Sequence, residues 1–366
     1  MYSSRTSNSE CINSQNPFGF HLSDGTLYTY ITGSEYEDIA AAWDWNLIPG
    51  TTVDYGATSL TCSRSQFSGV ETFVGGVTDG QSGIGVMRYR NPSTNNLTWQ
   101  KAWFFGLGGE VHVMVNSISS RTNAQVFSVL DQRKKVSDII VDGSSAQSGN
   151  YTNVSRLWHG GVGYVFPRSI FNSGVSLSIN TGTRTGSWAS LGISTQPPAT
   201  VNLFAAWLAH GSGPSASSTV SYTAYPATKD YTTFVHRASI DQTTQIRNDE
   251  DASAVYDNAR NVAYIVFWQD GSEVTLESPA SDSNGDSPVT IGADVPLVLI
   301  LHRAQSPWVL YVSDPSQTLS GAQVTLSLTQ GEAPVGWPGG STRSIIVEVV
   351  FPDGGTAGDT VKVILS

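Results

Sequence analysis

Ten tryptophans are the first candidates for chemistry, because a flat aromatic face stacks on the apolar C–H surface of a sugar ring. Trp103, Trp158, Trp188, Trp207 and Trp268 sit inside strand-like apolar patterns and are expected to pack in cores. Trp43, Trp45, Trp99, Trp308 and Trp337 lie nearer turn signals and are expected to be the exposed stacking platforms. Trp43 and Trp45 flank Asp44 just before a Pro-Gly turn. Arg5 offers a planar fork of donors that could grip a carboxylate bidentately, although so near a chain end a solvated arginine is the plainer reading.

The other reactive residue types form no working set. The six histidines, His21, His112, His159, His210, His236 and His302, show no i, i+4 or close spacing of the kind that holds a metal. Asp282-Ser283-Asn284-Gly285-Asp286 alternates oxygen ligands around a glycine but lacks the remainder of a calcium loop, so a turn is expected there. No cofactor or metal is therefore expected. The placing of serines and aspartates gives no nucleophile elbow or triad. Cys11 and Cys62 stand at a spacing that signals neither a disulfide framework nor zinc, and a bridge and two buried thiols both fit.

Nineteen Lys and Arg against 30 Asp and Glu give a net charge of −11, which argues against nucleic acid and anionic membranes as partners. An acidic polysaccharide would need a local basic groove. The one basic cluster, Arg133-Lys134-Lys135, is expected to be a solvated turn. No run approaches the ~18 apolar residues of a membrane span, and no secretory leader opens the sequence, so a soluble chain is expected. Its location stays open: a genuine start at Met1 fits a cytosolic protein or leaderless export, whereas excision from a precursor would give meaning to the sequons at Asn96, Asn150 and Asn153.

What must position these residues is a set of strands. Short apolar or alternating runs bounded by Gly, Asn, Asp or Pro recur at 72–77, 83–89, 111–115, 124–130, 175–179, 201–208 and 344–350. The best helical window, 35–43, has room for a turn or two. Charged residues are only 13% of the chain, the composition of many strands and tight turns. The reading is all-β, with a length that suits two sandwich domains. A polar, charge-rich stretch at 231–257 puts the boundary near 234–240, giving a large antiparallel sandwich at 1–236 and a smaller one at 237–366.

Several segments then fall into a known order. Met1-Tyr2-Ser3-Ser4-Arg5 with Glu10, Asn13 and Asn16 resembles the opening of the β region of polysaccharide lyase family 8, which includes hyaluronate, chondroitin AC and xanthan lyases. Pro49-Gly50-Thr51-Thr52, Gly75-Gly76-Val77-Thr78-Asp79-Gly80, Lys101-Ala102-Trp103-Phe104-Phe105, Trp158-His159-Gly160-Gly161, Gly186-Ser187-Trp188, His210-Gly211 and Val312-Ser313-Asp314-Pro315-Ser316 follow in the family's sequence. The resemblance implies a galactose-mutarotase-like β-sandwich, then a smaller carboxy-terminal sandwich, both without the family's amino-terminal α/α toroid. With the toroid go the family's catalytic His and Tyr, its orienting Asn and its aromatic patch.

Of the family's cleft residues only Glu10 and Asn13 match, and the motif's second Glu is Gln15. These cannot run a β-elimination by themselves. The expectation is a carbohydrate-binding, lectin-like protein on a lyase scaffold, contacting a glycan or polysaccharide through Arg5, Glu10, Asn13, Trp43 and Trp45. The alternative is the β part of a uronate lyase that works once a toroid is supplied. A homo-oligomer is compatible with either.

Overall fold

The computed structural model describes residues 8–9, 17–60, 67–216, 219–277, 287–304, 306–329 and 331–365. It is mostly strand, arranged in antiparallel sheets with no closed barrel, as the all-β reading expects. A nine-stranded sheet runs in the order 144–146, 139–141, 156–159, 162–165, 220–225, 111–120, 97–105, 83–90, 74–78. A five-stranded sheet is ordered 149–151, 176–186, 199–212, 125–134, 52–54. Six strands (243–248, 252–257, 262–267, 297–302, 308–313, 361–365) form a third sheet, and 272–276, 289–293, 321–328 and 344–350 a fourth.

These elements group into two compact units, neither contiguous in sequence. Unit 1 comprises Met1–Glu71, Arg88–Lys101 and Ser117–Ser239, and unit 2 comprises Thr72–Met87, Ala102–Asn116 and Ile240–Ser366. Alternation in unit 2 shows why. Side chains point to opposite faces of a strand in turn, and in the six-stranded sheet both sets are apolar. Ala254, Tyr256, Ile265, Phe267, Leu299 and Leu301 enter one core with Val274, Ile291, Val324 and Leu326 of the four-stranded sheet. Val255, Tyr264, Val266, Trp268, Val298 and Ile300 enter a second core with Phe73, Val77, Ile84, Val86, Ala102, Phe104 and Met114. The second set has no other cover in its own segment, so the early segments supply it.

In unit 1 the recurring motifs are close approaches of backbone and ring. Gly50 has φ +85°, and a Cβ there would meet the Leu27 amide nitrogen at 2.3 Å, so only glycine fits. Its carbonyl accepts the Lys101 ammonium at 2.8 Å, and Thr52 O accepts the Trp99 indole N–H at 3.0 Å. Burial brings Lys101 down to about 7. His210 Nε2 lies 2.8 Å from the Ser128 hydroxyl, which meets Thr52 Oγ1 at 3.0 Å. The start of the polar stretch used to locate the domain boundary, 231–240, is a helix. Asp230 accepts the Thr233 amide at 2.7 Å, the usual cap for an orphan amide. Phe234 of this helix is buried against Trp158 and Tyr225, and a Cβ on Gly163 would fall 2.1 Å from its ring. The window at 35–43 holds one 3₁₀ turn, Ala40–Ala42.

Trp268 is wholly buried, packs on Phe73 with ring centroids 5.5 Å apart and donates its indole N–H to Ser253 at 3.0 Å. Trp268→Ala is expected to cost about 3–5 kcal/mol, read from the shift of the urea midpoint. A loss below about 1 kcal/mol would show that the second core of unit 2 is not close-packed.

Candidate functional site

A group of exposed and half-exposed aromatic residues lies in unit 1, on the segment leading to the Pro49-Gly50 turn. Phe18, Trp45, Trp43, Tyr28 and Tyr30 form a continuous run with centroid separations of 6.4, 5.6, 6.2 and 6.3 Å. Tyr28 and Trp43 are stacked within 10° of parallel. Tyr36 meets Tyr28 and Tyr30 edge-on, at 5.1 Å each. Tyr30 is 59% exposed, while Trp43 and Trp45 are half-buried. The Trp45 indole N–H donates to Ala40 O at 3.1 Å. The Trp43 indole N–H is enclosed, so only ring surface is left for a ligand.

Two polar devices hold this run in place. Beneath it, Asp131 and Arg133 form a buried ion pair on strand Gln125–Lys134. Arg133 also donates to Thr29 O at 3.0 Å and to the Tyr36 hydroxyl at 2.8 Å, and that hydroxyl donates to Asp131 at 2.9 Å. Burial pushes the Asp131 carboxyl above the usual carboxylate range against the pull of Arg133. Burial opposes protonation of Arg133 too, yet the carboxylate beside it keeps the guanidinium charged. At the rim, Glu35 accepts the amides of Ile31, Thr32 and Gly33 at 3.1, 2.7 and 3.0 Å and the Thr32 hydroxyl at 3.0 Å. Burial works against ionisation of Glu35, but these donors outweigh it and bring the carboxyl down to about 2.

Of the residues expected from sequence to contact sugar, Trp43 and Trp45 are brought together, edge to face at 5.6 Å. Arg5, Glu10 and Asn13 lie outside the described residues, as do Cys11, Cys62 and the loop 282–286. Trp99, Trp308 and Trp337 are not platforms. They are 1%, 0% and 8% exposed, and Trp99 stacks on Tyr89 at 4.6 Å. The Arg133-Lys134-Lys135 turn is corrected likewise: Arg133 is 1% exposed in a strand, because Asp131 two residues earlier points to the same side and neutralises it. His159 is a core residue; it stacks on Phe204 at 4.1 Å, and burial pushes its imidazole down to about 3. Tyr28, Tyr30 and Tyr36 went unmarked in sequence, where only their local density between 28 and 45 hinted at a cluster.

Unit 2 carries a second constellation that sequence spacing did not expose. Glu110 and His112, alternate residues at the start of strand Val111–Ser120, meet Asp241, which follows the helix Tyr231–Ile240. One ligand atom from each lies within 4.8 Å of the other two, with His112 Nε2 and Asp241 Oδ2 at 3.6 Å.

The chain matches one class of protein over most of its length. The family model for the polysaccharide lyase family 8 super-sandwich domain matches residues 1–238, and that for the family's C-terminal β-sandwich domain matches 246–323. The chain belongs to polysaccharide lyase family 8. It is 25% identical to chondroitinase-AC of Pedobacter heparinus over 324 residues, 87% of this chain and 43% of that protein. A solved chondroitinase AC lyase from enzyme–oligosaccharide complexes superposes with a TM-score of 0.83 at 22% identity, covering 99% of this chain and 50% of the other. Xanthan lyase of Paenibacillus gives a TM-score of 0.78 at 24% identity over 99% of this chain and 35% of that one. Both superpositions describe the fold. The chain spans less than half the length of the curated chondroitinase it matches.

Glu35 gives this site a pH signature. Its folded carboxyl titrates below the ordinary 4.5, so its contribution is complete above about pH 4.5 and fades as pH falls toward 2. Glu35→Ala is expected to cost about 1–3 kcal/mol at pH 7 by stranding four donors, and far less near pH 2. Urea midpoints of the two proteins at both pH values check this, and an equal difference at both would refute it.

Proposed function

We propose that this chain is the polysaccharide-gripping β part of a family 8 lyase, whose elimination chemistry is completed by an α/α toroid. The observation that carries the reading is the continuous aromatic run from Phe18 to Tyr30, held by a buried ion pair on the scaffold of a family whose relatives include a chondroitinase and a xanthan lyase. Ring surface in a row suits successive sugars of one chain, because each aromatic face takes one apolar sugar face. The described residues hold no arrangement of acid, base and carboxylate-neutralising donors that could remove a C5 proton, so the chemistry is assigned to groups beyond the aromatic run. Glu10 and Asn13 are proposed to contribute from this chain, with Arg5 available for a uronate carboxylate.

One observation favours a second reading, a lectin-like binder of neutral glycans. The segment around the aromatic run carries Glu35, Glu37, Asp38 and Asp44, and Lys134 lies 3.8 Å from Glu37. A polyanion would meet repulsion there.

Binding of the whole chain to chondroitin, hyaluronan, xanthan and neutral oligosaccharides, followed by calorimetry, separates these readings. Uronate-containing chains binding best, with unsaturated uronate released when a family 8 toroid is added, is the expected result. Binding of neutral sugars alone would favour the lectin, and no binding to any glycan would refute both. Tyr30→Ala and Trp45→Ala are each expected to weaken binding about 3- to 10-fold, the worth of one stacked ring.

A further inference from the structure

We propose that Glu110, His112 and Asp241 of unit 2 form a binding site for a first-row divalent cation, with zinc the best match. The donor set is one imidazole nitrogen and two carboxylates, the mixed N/O chemistry that suits zinc and its neighbours better than calcium or magnesium, which take oxygen alone. Spacing agrees. Zinc bonds of about 2.0–2.1 Å in a tetrahedron put neighbouring ligand atoms about 3.3 Å apart, and His112 Nε2 stands 3.6 Å from Asp241 Oδ2. That gap is too long for a hydrogen bond.

The surroundings aim the ligands. Asp241 Oδ1 accepts the Thr243 amide at 2.8 Å, which leaves Oδ2 on the side of His112, the outer support that orients metal-binding carboxylates. Glu110 is 7% exposed and pressed against its own loop, where a Cβ on Gly106 would come within 1.8 Å of Oε1 and one on Gly108 within 2.3 Å of Oε2. Glu110 and His112 also line a recess with Phe104, Thr243, Asp257 and Tyr264 that holds about one water-sized occupant.

Charge points the same way. Asp257 on this recess is paired with Arg260 at 2.7 Å, and the same guanidinium also faces Glu110, so one cation stands against three carboxylates. Glu110 and Asp241 then bring two further negative charges together in a largely buried place. Like charges so placed favour a bound cation.

The test is zinc titration of the chelator-stripped whole chain by calorimetry and thermal melting. One tight site is expected, with a melting rise of several degrees at zinc well above Kd. His112→Ala and Asp241→Asn should each weaken binding at least tenfold, while His236→Ala, at an exposed histidine, leaves it unchanged. Zinc taken up equally by all four proteins, or calcium preferred over zinc, would overturn the proposal. Anomalous scattering from zinc-soaked wild-type crystals keeps the question answerable if the variants misfold: a peak between the three side chains supports the site, and peaks only elsewhere refute it.

Discussion

The buried Asp131–Arg133 pair is the interaction on which the front of unit 1 depends. Two charges removed from water are tolerated only while both stay paired and hydrogen-bonded. Here Tyr36 and the carbonyl of Thr29 take part of the pair's remaining hydrogen-bonding capacity, while Arg133 Nη1 is enclosed without a partner. The pair therefore dictates where the loop bearing Tyr28, Tyr30 and Tyr36 must lie. Hydrophobic packing alone would leave those rings several alternative arrangements. A charge that must find its partner leaves one.

Unit 2 solves a different problem. A sheet with apolar residues on both faces needs two covers, and the four-stranded sheet supplies only one. The strands from the early part of the chain supply the other. Gly75 admits this closeness: a Cβ there would sit 3.1 Å from Pro315. Two of the family-like motifs, at 75–80 and 312–316, are thus the two sides of one contact.

The strand pattern and the family were legible because period-two alternation and short glycine motifs are local in sequence. Trp268 and Trp103 were read as core residues for the same reason, and both are buried. What escaped reading depends on partners distant in the chain. Trp308 lies next to a turn in sequence, yet Trp337 closes over it edge to face at 5.8 Å. Arg133 looks like one of three exposed cations until Asp131 and Tyr36 surround it. The helix at 231–240 is rich in Thr and β-branched residues, which are weak helix formers, and it is secured by its Asp230 cap and by the space above Gly163. His112 has no metal-like spacing in sequence because Asp241 arrives from a segment more than a hundred residues later in the chain.

The interleaving of the two units constrains how the chain can be built. During synthesis Phe73, Val77, Ile84, Val86, Ala102, Phe104 and Met114 emerge long before Val255, Tyr264, Val298 and Ile300, their partners in one core. The nascent chain must carry that oily surface uncovered while more than a hundred further residues are added, and closing such distant contacts is slow. Unit 1 has fully emerged once residue 239 is made, whereas this core of unit 2 cannot close until its last strands follow.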